Sequence, residues 1–255
     1  AYEIAQCLVG SEMCIRDRLA TVTFAIGVTA ITIIVSFLAA LALDKRGRDR
    51  LPRGLMRALW FFPALLSGAV VGILWRIMYN YNNGVINKII TSAGLPAVNW
   101  LETRGVTNIA IIIGAAWVQI GLCVVVFLAG LQSIPQEMYE AASIDGANRW
   151  QTLWRVTIPN VMPSITICMF LSLTNGFKLF DQNLALTAGR PFQQLGNGET
   201  IKTTEMLALN IVNAFGTSGG GNRGVGQAKA VIFFIVVAAI SIIQLQANRR
   251  KEVQQ

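Results

Sequence analysis

TNIAIIIGAAWVQIGLCVVVFLAGL, residues 107 to 131, runs for 25 positions without an Asp, Glu, Lys or Arg. A helix that crosses the hydrocarbon core of a bilayer needs roughly 20 mainly apolar residues, so this stretch predicts a transmembrane helix. Four more stretches pass the same test: Leu19 to Leu43, Ala58 to Trp75, Val156 to Phe177 and Ala230 to Asn248. Five such helices without charged amphipathic partners would leave a water-soluble fold nothing to turn toward solvent. The fold class is therefore all-α, a polytopic membrane helix bundle. Composition agrees, because 13% of the 255 residues are charged and 54% are hydrophobic, against about 25% charged in a soluble domain.

The chain carries 21 Lys and Arg against 13 Asp and Glu, a net charge of +8. Their placement says what the excess is for. Six lie in segment 44–58, two in 132–160 and three in the tail after the last span, whereas the alternate segments hold seven over a greater length. Positive charge collects on the cytoplasmic side of membrane proteins, so the first group, with the C-terminus, is expected in the cytoplasm. A nucleic-acid footprint is then unnecessary. Histidine is absent, which excludes a Ser-His-Asp centre and a His-ligated zinc. The four cysteines, Cys7, Cys14, Cys123 and Cys168, show no CxxC spacing and indicate neither a metal site nor a disulfide frame.

Trp60, Phe61 and Phe62 open the second span while Trp75, Tyr79 and Tyr81 close it, as an interfacial aromatic belt does. Pro63 and the Gly68/Gly72 pair suggest close helix packing. Segment 182–227, rich in glycine, reads as an outer loop that docks a partner or serves as a flexible linker. Cys7 to Arg18, CLVGSEMCIRDR, resembles translated sequencing-adapter sequence. Residues 1–18 are thus expected to be a non-native or truncated segment, with six spans in the intact protein; a genuine polar segment is the alternative.

Between the third and fourth spans lies QSIPQEMYEAASIDGANRWQTLWRVTIPN, Gln132 to Asn160. Pro135 suits a helix start, Glu137 and Glu140 favour its first half, and Asp145-Gly146 is a helix stop. A second short helix from about Asn148 carries Trp150, Leu153, Trp154 and Val156 on one stripe before Pro159 ends it. This predicts a helix-turn-helix across the cytoplasmic face. From the residues alone it is either a docking element or an interfacial anchor with two inserted tryptophans.

Glu140-Ala141-Ala142, three residues, Gly146, nine residues, then Val156-Thr157-Ile158-Pro159 resembles the EAA loop of ATP-binding-cassette importer permeases. Val156 and Ile158 stand where that pattern expects Ile and Leu, and both stay apolar. The approach LAGLQSIPQEMYEAASIDGA and the later FKLFDQNLALTAGRP resemble the sugar branch, the permeases for maltose-type oligosaccharides and glycerol 3-phosphate. Arg190 departs there from Thr-x-Gly-Gly-Pro. The resemblance covers about residues 19 to 250. It implies that the loop docks on a separate ATPase, with Glu140, Ala141, Ala142, Asp145, Gly146, Val156, Ile158 and Pro159 as coupling positions. It further implies two ATPase subunits, a second permease and an extracytoplasmic binding protein as partners in a bacterial or archaeal inner membrane. No GxxxxGK[ST] phosphate loop occurs, so ATP and magnesium would be held by the partner, no cofactor by this chain.

Polar residues inside spans usually face a cavity or a partner helix. Trp117 and Gln119 in the third span, and Asn175, Phe177, Lys178, Asp181 and Gln182 around the end of the fourth, are candidate substrate-path residues, with amides and a carboxylate for hydroxyls and rings for stacking. Alternatively Lys178 and Asp181 form an interfacial ion pair and Gln119 bonds a neighbouring helix. A permease subunit moving a sugar or polyol and a channel or scaffold without ATP coupling are the two readings that stand.

Overall fold

The computed structural model describes residues 12–44, 53–103, 105–194, 200–216 and 223–252. Most of the arginine-rich segment 44–58, Arg104, glycines 219–221 and residues 1–11 and 253–255 lie outside the described residues, so the expectations placed on them are not addressed by it.

In chain order the elements are α1 (Glu12–Asp44), α2 (Arg53–Phe61) with a 3₁₀ turn (Phe62–Leu65), α3 (Gly68–Met78), α4 (Val85–Ser92) and α5 (Val106–Gln132). There follow α6 (Gln136–Ile144), α7 (Arg149–Thr152), a π-helical turn (Leu153–Thr157), α8 (Ile158–Lys178) and α9 (Asp181–Leu186). A small antiparallel pair, β1 (Phe192–Gln194) and β2 (Thr200–Lys202) with Gln193 opposite Ile201, precedes α10 (Leu207–Ala214) and α11 (Arg223–Glu252). Among the described residues four stretches are long and apolar enough to cross a membrane: Thr21–Asp44, Val106–Gln132, Arg149–Lys178 and Arg223–Gln246. Arg57–Leu65 and Gly68–Met78 pass the same test only together, and they are bent by 104° at their break, the geometry of a broken span or a re-entrant loop.

The second apolar stretch is therefore broken, where the sequence predicts one helix over Ala58 to Trp75. Pro63 supplies no amide hydrogen, the chain tightens into the 3₁₀ turn, and Ser67 restarts a helix by accepting from the Val70 amide at 3.4 Å. The fourth span begins at Arg149 and the last at Arg223, earlier than the charge-free windows, because a helix continues past the point where charged side chains begin.

The chain divides into two compact units. One consists of Thr29–Leu65, Ala116–Ser172 and Ser241–Gln255. Its core gathers Val124, Phe127, Leu128, Leu131, Val161 and Cys168, with Phe37 edge-on to Phe127 at 5.6 Å. Hydrocarbon tails are as apolar as these side chains, so association rests on close packing more than on escape from water. Gly121 shows what that requires: a Cβ there would lie 2.2 Å from the Trp60 carbonyl oxygen, so only glycine admits the α2 backbone.

The other unit consists of Ala1–Val28, Leu66–Ala115 and Leu173–Ile240. Here α3 packs along α9, and a Cβ on Gly72 would sit 2.6 Å from that of Ala185 and 2.7 Å from the Gln182 carbonyl. The Gly68/Gly72 spacing thus serves a short helix of the segment read as a loop. Far from being a bare linker, the described part of 182–227 holds α9, the β pair and α10, and the Leu207 amide at the start of α10 donates to Thr21 Oγ1 at 3.1 Å. Trp75 and Tyr79 are buried, not displayed as a belt. They stack at 5.1 Å, Tyr79 meets Trp100 at 5.3 Å, and its hydroxyl donates to the Ala110 carbonyl at 3.2 Å.

A buried amide fixes the connection between α3 and α5. Asn87 donates to the carbonyls of Tyr81 and Val98 at 3.1 and 2.9 Å, and its oxygen accepts from the Val98 amide and the Trp100 indole at 3.2 and 3.0 Å. One side chain so ties the turn before α4 to the segment after it.

Candidate functional site

The helix-turn-helix expected between the third and fourth spans is present as α6, a turn, and α7. Pro135 stands at the N-cap of α6 and Glu137 in its first turn. The C-terminus closes as a Schellman motif: the Ala147 amide donates to the Ala142 carbonyl at 2.9 Å and the Gly146 amide to the Ser143 carbonyl at 3.2 Å. Gly146 occupies the left-handed position at φ +76°, and a Cβ there would meet nothing within 4 Å. The glycine is needed for its backbone angle, not for lack of room.

Two residues later a capping box opens α7. The Gln151 amide donates to Asn148 Oδ1 at 2.8 Å, and the Asn148 amide donates to Gln151 Oε1 at 2.9 Å. The N-x-x-Q spacing encodes this box. Pro159 does not end the second helix. The backbone passes from α7 through the π turn directly into α8, with the Ile158 amide bonded to the Leu153 carbonyl. The wider turn takes up the missing proline donor, as π-helical insertions do elsewhere in helices. The second arm of the loop and the fourth membrane span are consequently one continuous rod.

The two arms touch through Tyr139, whose hydroxyl lies 3.5 Å from Thr157 Oγ1, the donor of that contact. Side-chain directions then divide the expected coupling positions. Glu140 and Ala141 are exposed, the former accepting from the Gln136 amide group at 2.9 Å, while Ala142 is buried and does not share their face. Asp145 caps α6 and is exposed; Val156, Ile158 and Pro159 are half-buried at the root of the rod. The outward apolar surface comes from Ile144, 86% exposed, and from Trp150 and Trp154, which meet edge to face at 6.0 Å. Ile144 was not singled out by the sequence, although an isoleucine flanking a glycine stop on a polar helix is a readable signal. An apolar surface of this kind, displayed on a polar loop, is suited to contact with another protein.

The candidate path residues do not form one cluster. Trp117 and Gln119 are half-buried in one unit; Asn175, Phe177, Lys178, Asp181 and Gln182 belong to the other. Phe177 is buried against Ala25 and Val237, its ring committed to packing. Lys178 ends α8 and Asp181 begins α9, with the chain turning at Phe180 (φ −128°, ψ −58°), so the two are not on one helical face and form no ion pair. Asn175 is exposed. Gln182 is 2% exposed, its Nε2 has no hydrogen-bond partner among the described residues, and a Cβ on Gly114 would stand 2.7 Å from that nitrogen.

Residues 32–253 match the family model described as the binding-protein-dependent transport system inner membrane component. The chain is 36% identical over 92% of its length to the probable starch degradation products transport system permease protein AmyD of Thermoanaerobacterium thermosulfurigenes, of which it covers 75%. It is 31% identical over 90% of its length to the trehalose/maltose transport system permease protein MalF of Thermococcus litoralis, covering 72% of that protein. The fold is similar to a chain of a bacterial ABC transporter that imports the acidic polysaccharide alginate, with a TM-score of 0.78 at 21% identity over 98% of this chain and 84% of the other.

Proposed function

The chain belongs to the family of binding-protein-dependent transport system inner membrane components: it is a permease subunit of an ATP-binding-cassette importer and a multi-pass membrane protein, and we propose that its cargo is a sugar or related polyol. The named cargoes of its relatives support this choice, since starch degradation products, trehalose and maltose are all carbohydrates. We further assign it two ATPase subunits, a second permease subunit and an extracytoplasmic binding protein as partners, with the C-terminus and the α6–α7 loop in the cytoplasm. ATP and magnesium reside in the ATPase chains.

One observation carries the mechanism: α7, the π turn and α8 are continuous from Arg149 to Lys178. A partner gripping Ile144, Trp150 and Trp154 therefore holds one end of a membrane span. The Schellman turn at Gly146 and the Tyr139–Thr157 contact keep the two arms in fixed relation, so displacement of the loop moves the span instead of being absorbed by the turn. ATP supplies the bias because the closed and open ATPase pairs hold the loop in different positions, and the permease state that matches the closed pair is favoured while nucleotide is bound. Glu140 and Ala141 face the partner in this account, while Ala142 seats α6 on its own subunit.

The test is uptake. The assembled importer, reconstituted in proteoliposomes with its binding protein and internal ATP, is offered radiolabelled maltotriose, trehalose and arabinotriose. ATP-dependent accumulation of at least one supports the sugar assignment. Uptake of none of them, by a complex whose ATPase is stimulated by the binding protein, overturns it.

A further inference from the structure

Beyond the C-terminus of α3, a cavity of about 590 Å³ opens between the α3–α4 turn, the loop leading into α5 and the end of α9. That volume lies within the range of roughly 300 to 1,000 Å³ typical of small-molecule sites. Its wall is mostly polar, with Arg76, Asn82, Asn99, Glu102 and Arg190 contributing charged or amide groups and Tyr81 an exposed ring. Neither the coupling loop nor the apolar packing uses these groups.

The wall is also fixed in place before any ligand arrives. Asn87 holds the Tyr81 carbonyl, both polar groups of Val98 and the Trp100 indole, and the Asn99 amide group donates to the Glu102 carboxylate at 2.9 Å. The Arg190 carbonyl accepts from the Thr204 hydroxyl at 2.6 Å, while its guanidinium lies 5.9 Å from the Phe192 ring. Arg76 and Arg190 form no ion pair within the described residues. Among the described residues neither guanidinium is held by a carboxylate, and the Glu102 carboxylate lines the same cavity as an acceptor.

Sugars offer hydroxyls that both donate and accept, and a C–H face that packs on aromatic rings. Guanidinium and amide donors, one oriented carboxylate and one exposed tyrosine match that combination, and a preformed wall lowers the ordering cost of binding. Glu102 offsets one of the two guanidiniums, so the charged groups of the wall sum to a single positive charge. We propose that this cavity holds a short uncharged oligosaccharide, with Tyr81 against a sugar ring and Arg76, Asn82, Glu102 and Arg190 on its hydroxyls. The inference rests on the sugar-importer reading above. In the proposed orientation the cavity belongs to the extracytoplasmic side, where a sugar released by the binding protein first meets this subunit.

The test uses the whole importer in lipid nanodiscs without its binding protein, and equilibrium dialysis of radiolabelled maltotriose, trehalose and arabinotriose. Saturable binding of one of them is expected, weakened at least ten-fold by Tyr81→Ala and by Arg190→Ala. Thermal unfolding and capture of the binding protein should be unchanged in both variants, whose side chains are exposed. Variants that bind the sugar as wild type does, or that lose only the binding protein, overturn the proposal, the latter by making the cavity a protein contact. A wild-type complex that transports a panel sugar yet binds none on its own also overturns it and leaves the importer reading intact. Transport of none removes both.

Discussion

The Ala147 amide closes on the Ala142 carbonyl at 2.9 Å across Gly146, whose φ of +76° lets the loop turn back beneath its first helix. A Cβ at that angle costs about 1–2 kcal/mol, while the space around it is open. Gly146→Ala and Gly146→Leu should therefore weaken ATP-coupled uptake to a similar extent, several-fold, without loss of membrane insertion. Gly146→Asn should stay nearer wild type, because asparagine tolerates the left-handed region. Uptake and ATPase rates of the three variants check this; a graded loss with side-chain size would instead place Gly146 directly against the partner.

Ile144 and Trp150 are the most exposed apolar side chains of the loop. Exposed residues contribute little to their own subunit's stability, whereas aromatic anchors often dominate an interface. Ile144→Asp and Trp150→Ala are expected to reduce recovery of the ATPase with the tagged permease by at least ten-fold in detergent. The thermal unfolding of the permease should not change. Undiminished recovery of the ATPase would show that the partner contact lies elsewhere on the chain.

Asn87 makes four hydrogen bonds in the α3–α5 connection. Replacement by alanine leaves the Trp100 indole and three backbone groups without these partners, and each buried orphan costs about 1–3 kcal/mol. Asn87→Ala should lower the unfolding midpoint clearly and weaken binding of the sugar probes, because Tyr81 and Trp100 lose their anchor. Asn87→Asp, which keeps the acceptor but loses both donated bonds, should also destabilise. Scanning fluorimetry of purified protein reads both effects.

Gln182 is buried and, among the described residues, its Nε2 is unpartnered beside Gly114. A buried donor without an acceptor destabilises, so Gln182→Met, close in volume, should leave the unfolding temperature unchanged or raise it. If this amide meets cargo, uptake falls in the same variant. Lower stability combined with normal uptake would contradict both parts.

Much of the fold was legible because a bilayer demands uninterrupted apolar length: Val106–Gln132 follows from the missing charges alone. Breaks within apolar sequence were harder to see. Pro63 and Ser67 divide the second apolar stretch, yet neither changes its hydropathy. Pro159 suggested an end to the second arm, but a π turn, which leaves little trace in composition, carries the helix through it. In the loop the glycine stop was readable, since its bonds join residues three and five apart, and the opposite facing of Ala141 and Ala142 was not. Trp75 and Tyr79 resemble interfacial aromatics until Trp100, more than twenty residues on, is seen to cover Tyr79. Asn87 gave no signal, because most of its partners are backbone groups that any residue could supply.

The central claim, that the α6–α7 loop couples this permease to a separate ATPase, is tested most directly by ATP hydrolysis in the co-purified complex. The full chain is co-expressed with the subunits encoded beside it, isolated through a tag, and assayed in nanodiscs with its binding protein and sugar. The account predicts recovery of an ATPase and a second permease, hydrolysis stimulated by the loaded binding protein, and loss of that stimulation in Ile144→Asp while the unstimulated rate of the ATPase alone persists. A folded permease that isolates without an ATPase, or stimulation that survives disruption of the loop, would contradict it.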